Sequence, residues 1–239
     1  MMYGYGMAGF FWDPTYLLII IGAVICMIAS ARVRTTYSKY AQFRSNSGMT
    51  GAEAAERILQ SQGIYDVAVQ HVSGDLTDHY DPRNRTLSLS DATYGSTSVA
   101  AVGVAAHECG HAVQHARNYV PLRIRGAMVP VVNFGATLSW PLIIIGILMS
   151  RNLVGHYIIN LGIILFSLVV LFQLVTLPVE FNASRRAVRI LEEQQILDSE
   201  ELVYTRRVLK AAAMTYVASA AAAILQLLRI LLIAGNRDD

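Results

Sequence analysis

The chain has 239 residues, of which 54% are hydrophobic and only 15% charged, where a soluble domain carries about 25% charged residues. Together with a mean hydropathy of +0.42, this argues against an ordinary soluble domain and sets a membrane protein as the first expectation. The net charge of +2 and the lack of any Lys/Arg-rich tract argue against a nucleic-acid partner, and two cysteines, Cys26 and Cys109, are too few for a disulfide framework. The polar part of the chain is therefore expected in a reducing compartment.

In chain order, the first apolar run is Tyr16 to Ala31, with room to extend back toward Phe10. No Lys or Arg precedes it, whereas Arg32, Arg34, Lys39 and Arg44 follow it. That is the pattern of an uncleaved anchor with its N-terminus outside, not of a signal peptide. A polar region follows. Thr50-Gly51-Ala52-Glu53 reads as a capping box opening a helix through Ala54, Ala55, Ile58 and Leu59, with Gly63 as its stop. Val67-Ala68-Val69 and Thr86 to Ser90 read as short strands, with the turn formers Gly74, Asp75, Asp81, Pro82 and Asn84 between them. From Ser96 to about Ala116 the chain reads as helix, with Ser96 or Ser98 as N-cap.

Three more runs reach the length of about 20 residues that a bilayer requires. They are Ala127 to Met149 (containing Pro130 and Pro141), His156 to Leu177, and the alanine-rich Ala213 to Ala234, which carries Arg229. For the last, a buried or interfacial helix is the alternative, because alanine is only weakly apolar on insertion scales. Ten basic residues fall in 32–126 and six in 178–212, against Arg151 and Arg237 on the other side. The positive-inside rule therefore places both basic segments in the cytoplasm.

The expected organisation is an anchor at 1–32, a cytoplasmic α+β region ending in a histidine-bearing helix at 33–126, a membrane hairpin at 127–177, a cytoplasmic helical segment at 178–212, and a C-terminal membrane helix at 213–239. The fold class is a mostly α membrane protein. It has about four transmembrane helices and a cytoplasmic α+β region with a small β-hairpin.

The chemistry resides in His107-Glu108-Cys109-Gly110-His111. Histidines four apart project from one helix face, and two imidazoles so placed can share a Zn²⁺. Glu108 lies beside such a metal, positioned to take a proton from a water that the metal activates. Burying two histidines and a carboxylate behind the apolar stretch Val102 to Ala106 costs several kcal/mol unless something compensates them, as a metal does. A catalytic zinc needs a third protein ligand and an open position. His115 fails, because eight residues of helix rise about 12 Å. His156 falls on the opposite side of the membrane, and His71 and His79 read as loop residues. Glu180, where the third span emerges, is a carboxylate close to hydrocarbon and so a functional candidate by default. Its alternative is an interfacial ion pair with Arg185 or Arg186. Glu192 and Glu193 read as a solvated helix face.

HECGHAVQH, LPVEFNASRRA and LTDHYDPRNRTLSLS together closely resemble the YugP-type bacterial membrane zinc metallopeptidases, over nearly the whole chain to LLRILLI. More distantly, the chain is similar to the HtpX and CAAX prenyl protease group, in which a membrane hairpin separates the histidine motif from the glutamate ligand. That group has an aspartate four residues after its glutamate, where this chain has Ser184, so the partner that orients His107 is not specified. The likeness implies that the strand at Thr86–Ser90 is a substrate-binding edge, open to β-augmentation.

The resulting expectation is a plasma-membrane, multi-pass, zinc-dependent endopeptidase with its active site facing the cytoplasm. His107, His111 and Glu180 hold the metal, and Glu108 is the general base. For the oxyanion donor, Tyr80, His79, Tyr94 and Asn182 stay open. Expected partners are a protein or peptide substrate, membrane proteins included, and the lipid bilayer. A regulatory partner or a second copy of the chain stays open. The alternative reading is a non-catalytic membrane scaffold or adaptor with a structural metal site. A transporter ranks below it, because Arg229 is the only charge within a span.

Overall fold

The computed structural model describes residues 13–149 and 152–235. Any extension of the first span toward Phe10 lies outside them. The elements in order are α1 (Tyr16–Tyr40), α2 (Gly51–Ser61), β1 (Ala68–His71), β2 (His79–Asp81), β3 (Thr86–Leu89), α3 (Val99–Ala116), α4 (Val120–Leu148), α5 (Leu153–Glu193) and α6 (Ser199–Gly235). Four of these, α1, α4, α5 and α6, are long and apolar enough to cross a membrane. The contacts divide the chain into two compact units.

The apolar unit takes in 13–28, 127–149, 152–174 and 217–235 among the described residues. Its interior is thin: Ile143, Phe166, Val170 and Ile230 form the buried cluster. Small residues set the helix spacing. A Cβ on Gly146 would stand 2.8 Å from the Ile159 amide nitrogen, and one on Gly22 would stand 3.2 Å from the Ala222 Cβ. This is the close approach by which helices associate where no hydrophobic force acts between them. The alanine-rich stretch of the fourth span thus meets α1. Arg229 is buried, and its guanidinium lies 4.4 Å over the Tyr16 ring.

The polar unit takes in 29–126 and 175–216. α2 begins at the expected capping box, with both reciprocal Thr50–Glu53 bonds made, and Gly63 adopts φ +72° just past its end. Its buried face of Ala54, Ala55, Ile58 and Leu59 packs in one core with Leu87 and Leu89 of β3, Val102, Ala105, Ala106 and Val113 of α3, and Leu191 of α5. α3 is capped by Ser98, whose hydroxyl accepts from the Ala101 amide, and Asn118 (φ +51°) follows its end.

The sheet differs from the expectation in detail. The two expected strands, β1 and β3, lie side by side but parallel, with Val69 opposite Leu87. The hairpin is made by β2, which pairs antiparallel with β3. The order is β1-β3-β2, so β3 is the central strand and offers no free edge. The expectation of an edge at Thr86–Ser90 is therefore corrected: both sides of β3 are paired, and the outer strand on the hairpin side is β2. The helices also outrun the apolar runs. α5 continues through Pro178 to Glu193, and α4 through Pro130 and Pro141.

Candidate metal centre

His107 and His111 lie one turn apart on α3, with ring centroids 4.8 Å apart. Glu180 on α5 faces both. Its Oε2 lies 3.4 Å from His107 Nε2 and 3.6 Å from His111 Nε2. Ligand atoms arranged tetrahedrally at about 2.0–2.1 Å from a zinc ion stand about 3.4 Å apart, so Glu180 stands from each histidine at the spacing that one ion requires, and the three ligand atoms all lie within 4.8 Å of one another. Glu180 is 2% exposed, and its Oε2 is buried without a hydrogen bond. An uncompensated buried carboxylate oxygen costs several kcal/mol. A cation at that point removes the cost, and the donor set of two imidazoles and a carboxylate suits zinc. These three residues form a group that could hold a metal.

The close approach of α3 and α5 brings them together. A Cβ on Gly110 would stand 2.6 Å from the Ala183 carbonyl oxygen, so only glycine lets the two backbones meet there. Side chains on the same helices fix the imidazoles. Ser184, one turn past Glu180, has its Oγ 3.1 Å from His107 Nδ1. Gln114 Oε1 lies 3.1 Å from His111 Nδ1, while its Nε2 donates to the Val179 carbonyl (2.8 Å) and to Asn182 Oδ1 (3.0 Å). Both Nδ1 atoms are thus occupied, which leaves the Nε2 atoms turned toward Glu180. Ser184 occupies the place for which the sequence offered no orienting carboxylate. The Glu180 ion-pair partner is Arg125 of α4, with Nη1 3.7 Å from Oε1. It is not Arg185 or Arg186, which reach the Phe181 carbonyl and Asn182 instead. Burial works against a charged His111, but the Glu180 and Glu108 carboxylates outweigh it and raise its pKa. The electrostatics of the site therefore favour a positive charge.

His107, Glu108 and Glu180 line one cavity of about 320 Å³, together with Val33, Arg34 and Tyr37 of α1, Leu76 and Asp78 before β2, and Leu209, Ala213 and Tyr216 of α6. Glu108 therefore opens onto the same space as His107 and Glu180 without belonging to the group that could hold a metal. Cys109 points the other way, its Sγ 3.6 Å from the Ala55 carbonyl oxygen, and burial pushes its thiol pKa well up. It is neither a ligand nor a nucleophile.

The remaining histidines of the polar unit are engaged elsewhere: His115 with the Tyr80 hydroxyl (2.8 Å), His71 with Asp91 (2.6 Å), and His79 with the Thr77 carbonyl oxygen (2.8 Å). Glu193 pairs with Arg189 on a solvated face. Of the four oxyanion candidates, Tyr80, His79, Tyr94 and Asn182, none lines the cavity. The structure places Tyr216 there instead, within electrostatic reach of Glu180, Glu108 and Arg125. A tyrosine at the start of an apolar run reads in sequence as an interface anchor, and only the fold ties it to this cavity.

Residues 15–235 match the profile of a family described as "Putative neutral zinc metallopeptidase". The chain is 44% identical over 227 residues to a protein of Bacillus subtilis (strain 168) named "Putative membrane protease YugP", an alignment that covers 94% of this chain and 98% of that one. No solved structure matches the chain.

Proposed function

The chain belongs to this family of neutral zinc metallopeptidases, and from that membership we propose that it is a membrane-embedded, zinc-dependent endopeptidase. The observation that carries the reading is the unsatisfied Glu180 Oε2, held at zinc-ligand spacing from two oriented imidazoles. His107, His111 and Glu180 would hold the ion. Bound zinc supplies Lewis acidity and lowers the pKa of water toward about 7.

The rest of the reaction falls to the chain. Glu108 takes the proton of the attacking water and returns it to the departing amine. Tyr216 donates its hydroxyl hydrogen to the developing oxyanion of the scissile carbonyl. Ser184 and Gln114 keep the imidazoles turned to the metal. An extended substrate segment lies along the outer side of β2, beside Leu76 and Asp78 of the cavity wall. Among the described residues no fourth protein ligand joins the group, which favours a catalytic site over the closed site of a scaffold. The asymmetry of basic residues supports a site facing the cytoplasm, with unfolded segments of proteins at the membrane as substrates.

The test is cleavage of denatured casein by the purified full chain, alongside Glu108→Gln, with the metal content of both measured. Glu108→Gln should retain one zinc per chain and lose at least about 1,000-fold in rate. Wild-type rates from zinc-loaded Glu108→Gln protein would overturn the mechanism.

A further inference from the structure

A second cavity, of about 470 Å³, lies between the α1 residues Arg32, Thr35, Thr36, Lys39 and Tyr40 and the α6 residues Arg207, Lys210, Ala211 and Met214. Its charged lining is entirely basic. Arg32, Lys39, Arg207 and Lys210 are all exposed, no carboxylate lines the groove, and among the described residues none of the four makes an ion pair. Two of them are held in place by the buried Tyr40. Arg207 Nη1 donates to its hydroxyl at 2.8 Å, and Lys39 Nζ stands 5.5 Å from its ring centroid. The neighbouring groove between α5 and α6 is an internal control. It too is lined by Arg185, Arg189, Arg206 and Lys210, but there Arg189 binds Glu193 at 2.7 Å and Arg206 faces Glu192 at 3.6 Å. One groove holds carboxylate partners for two of its four cations and the other holds none. Four like charges gathered and partly fixed without a counter-charge call for an anion from outside.

The position along the chain says which anion. Arg32 is the first charge after the apolar run that starts at Tyr16, and Lys210 is the last before the run from Ala213. An anion held between them stands at the level where both helices turn apolar, which is the level of lipid headgroups. We propose that this groove binds the phosphate headgroup of an anionic phospholipid. The same two helical segments also wall the candidate catalytic cavity, through Val33, Arg34 and Tyr37 on α1 and Val208, Leu209 and Ala212 on α6. A lipid held between the α1 and α6 cations of this groove therefore fixes the spacing of the two helices that bound the active site. The binding claim stands without the proteolytic reading, and only this last consequence rests on it.

The experiment is lipid binding to the detergent-purified full chain by native mass spectrometry, with phosphatidylglycerol and phosphatidylcholine as probes. Wild type should hold phosphatidylglycerol at least about tenfold more tightly. The double variant Lys39→Gln/Lys210→Gln should lose about 25-fold, at about fivefold for each cation removed. The control Arg189→Gln/Arg206→Gln, which removes the two cations already paired with carboxylates, should stay within about twofold of wild type. Millimolar inorganic phosphate should not displace the lipid. Where the double variant does not purify as a folded protein, the single variant Lys39→Gln at an exposed position carries the test, with about a fivefold loss. No preference for phosphatidylglycerol, an equal loss in the control, or unchanged binding in the Lys variants would overturn the proposal. Full displacement by inorganic phosphate would assign the groove to a free anion and overturn the lipid.

Discussion

Along the single helix α5, Leu161, Ile164 and Leu171 are each about half exposed, whereas Val179, Ala183, Ala187 and Leu191 are fully buried. The first set belongs to the apolar unit and the second to the polar unit. In the apolar unit large side chains face outward and glycines set the helix spacing. In the polar unit large side chains face inward and a shared core joins α2, β3, α3 and α5. Close approach through glycine recurs in both, at Gly146 and at Gly110, but its consequences differ. At Gly146 it packs a hairpin. At Gly110 it brings a carboxylate on one helix to two imidazoles on another. Hydropathy reports which solvent a stretch faces, and the chemistry depends on where backbones can touch.

Alanine at the two glycines separates these roles. Gly110→Ala forces a Cβ against the Ala183 backbone. It should cost about 3 kcal/mol of stability, at the upper end for overpacking, and lower zinc affinity about 100-fold as Glu180 is pushed from the histidines. Gly146→Ala should also destabilise, by about 1–2 kcal/mol, but leave zinc affinity unchanged. Thermal unfolding and chelator competition on both variants decide this, and an equal loss of zinc affinity from the two would break the distinction between the units. Next in size is Tyr216→Phe. Losing one oxyanion donor should lower kcat about 100-fold, with KM within about threefold and zinc content intact. An unchanged kcat would remove Tyr216 from the chemistry. The smallest effect is expected from Ser184→Ala, which frees the His107 ring to rotate. Zinc affinity should fall about tenfold, and no change by chelator competition would mean that packing alone orients that ring.

What could be read in the sequence follows the range of the interactions involved. The capping box at Thr50 and Glu53 is a local device and is found where its residues stand. Three of the four apolar runs lie within a long helix and the other, Ala127 to Met149, overruns the end of α4 by one residue, and a histidine pair four apart on a helix needs no tertiary information. Glu180 could be singled out because a carboxylate beside hydrocarbon is costly wherever the chain folds. Contacts over long sequence separation could not. Nothing local in His79-Tyr80-Asp81, three residues without alternation, marks β2 as the strand that closes β3 on its far side. The helix ends were also out of reach, because hydropathy falls at Leu177 while hydrogen bonding continues to Glu193. Arg125, Ser184 and Tyr216 are ordinary surface or interface residues in sequence. They acquire roles only when α4, α5 and α6 bring them to Glu180, His107 and the shared cavity.

The central claim is that α3 and α5 jointly hold one zinc ion through three side chains. The most direct measurement is the zinc stoichiometry and affinity of the purified full chain against Glu180→Ala. Wild type should carry one zinc per chain. Glu180→Ala, with its helical content and thermal transition retained, should lose most of the zinc after dialysis against a moderate chelator. Equal stoichiometry and equal resistance to the chelator in the two proteins would contradict the account.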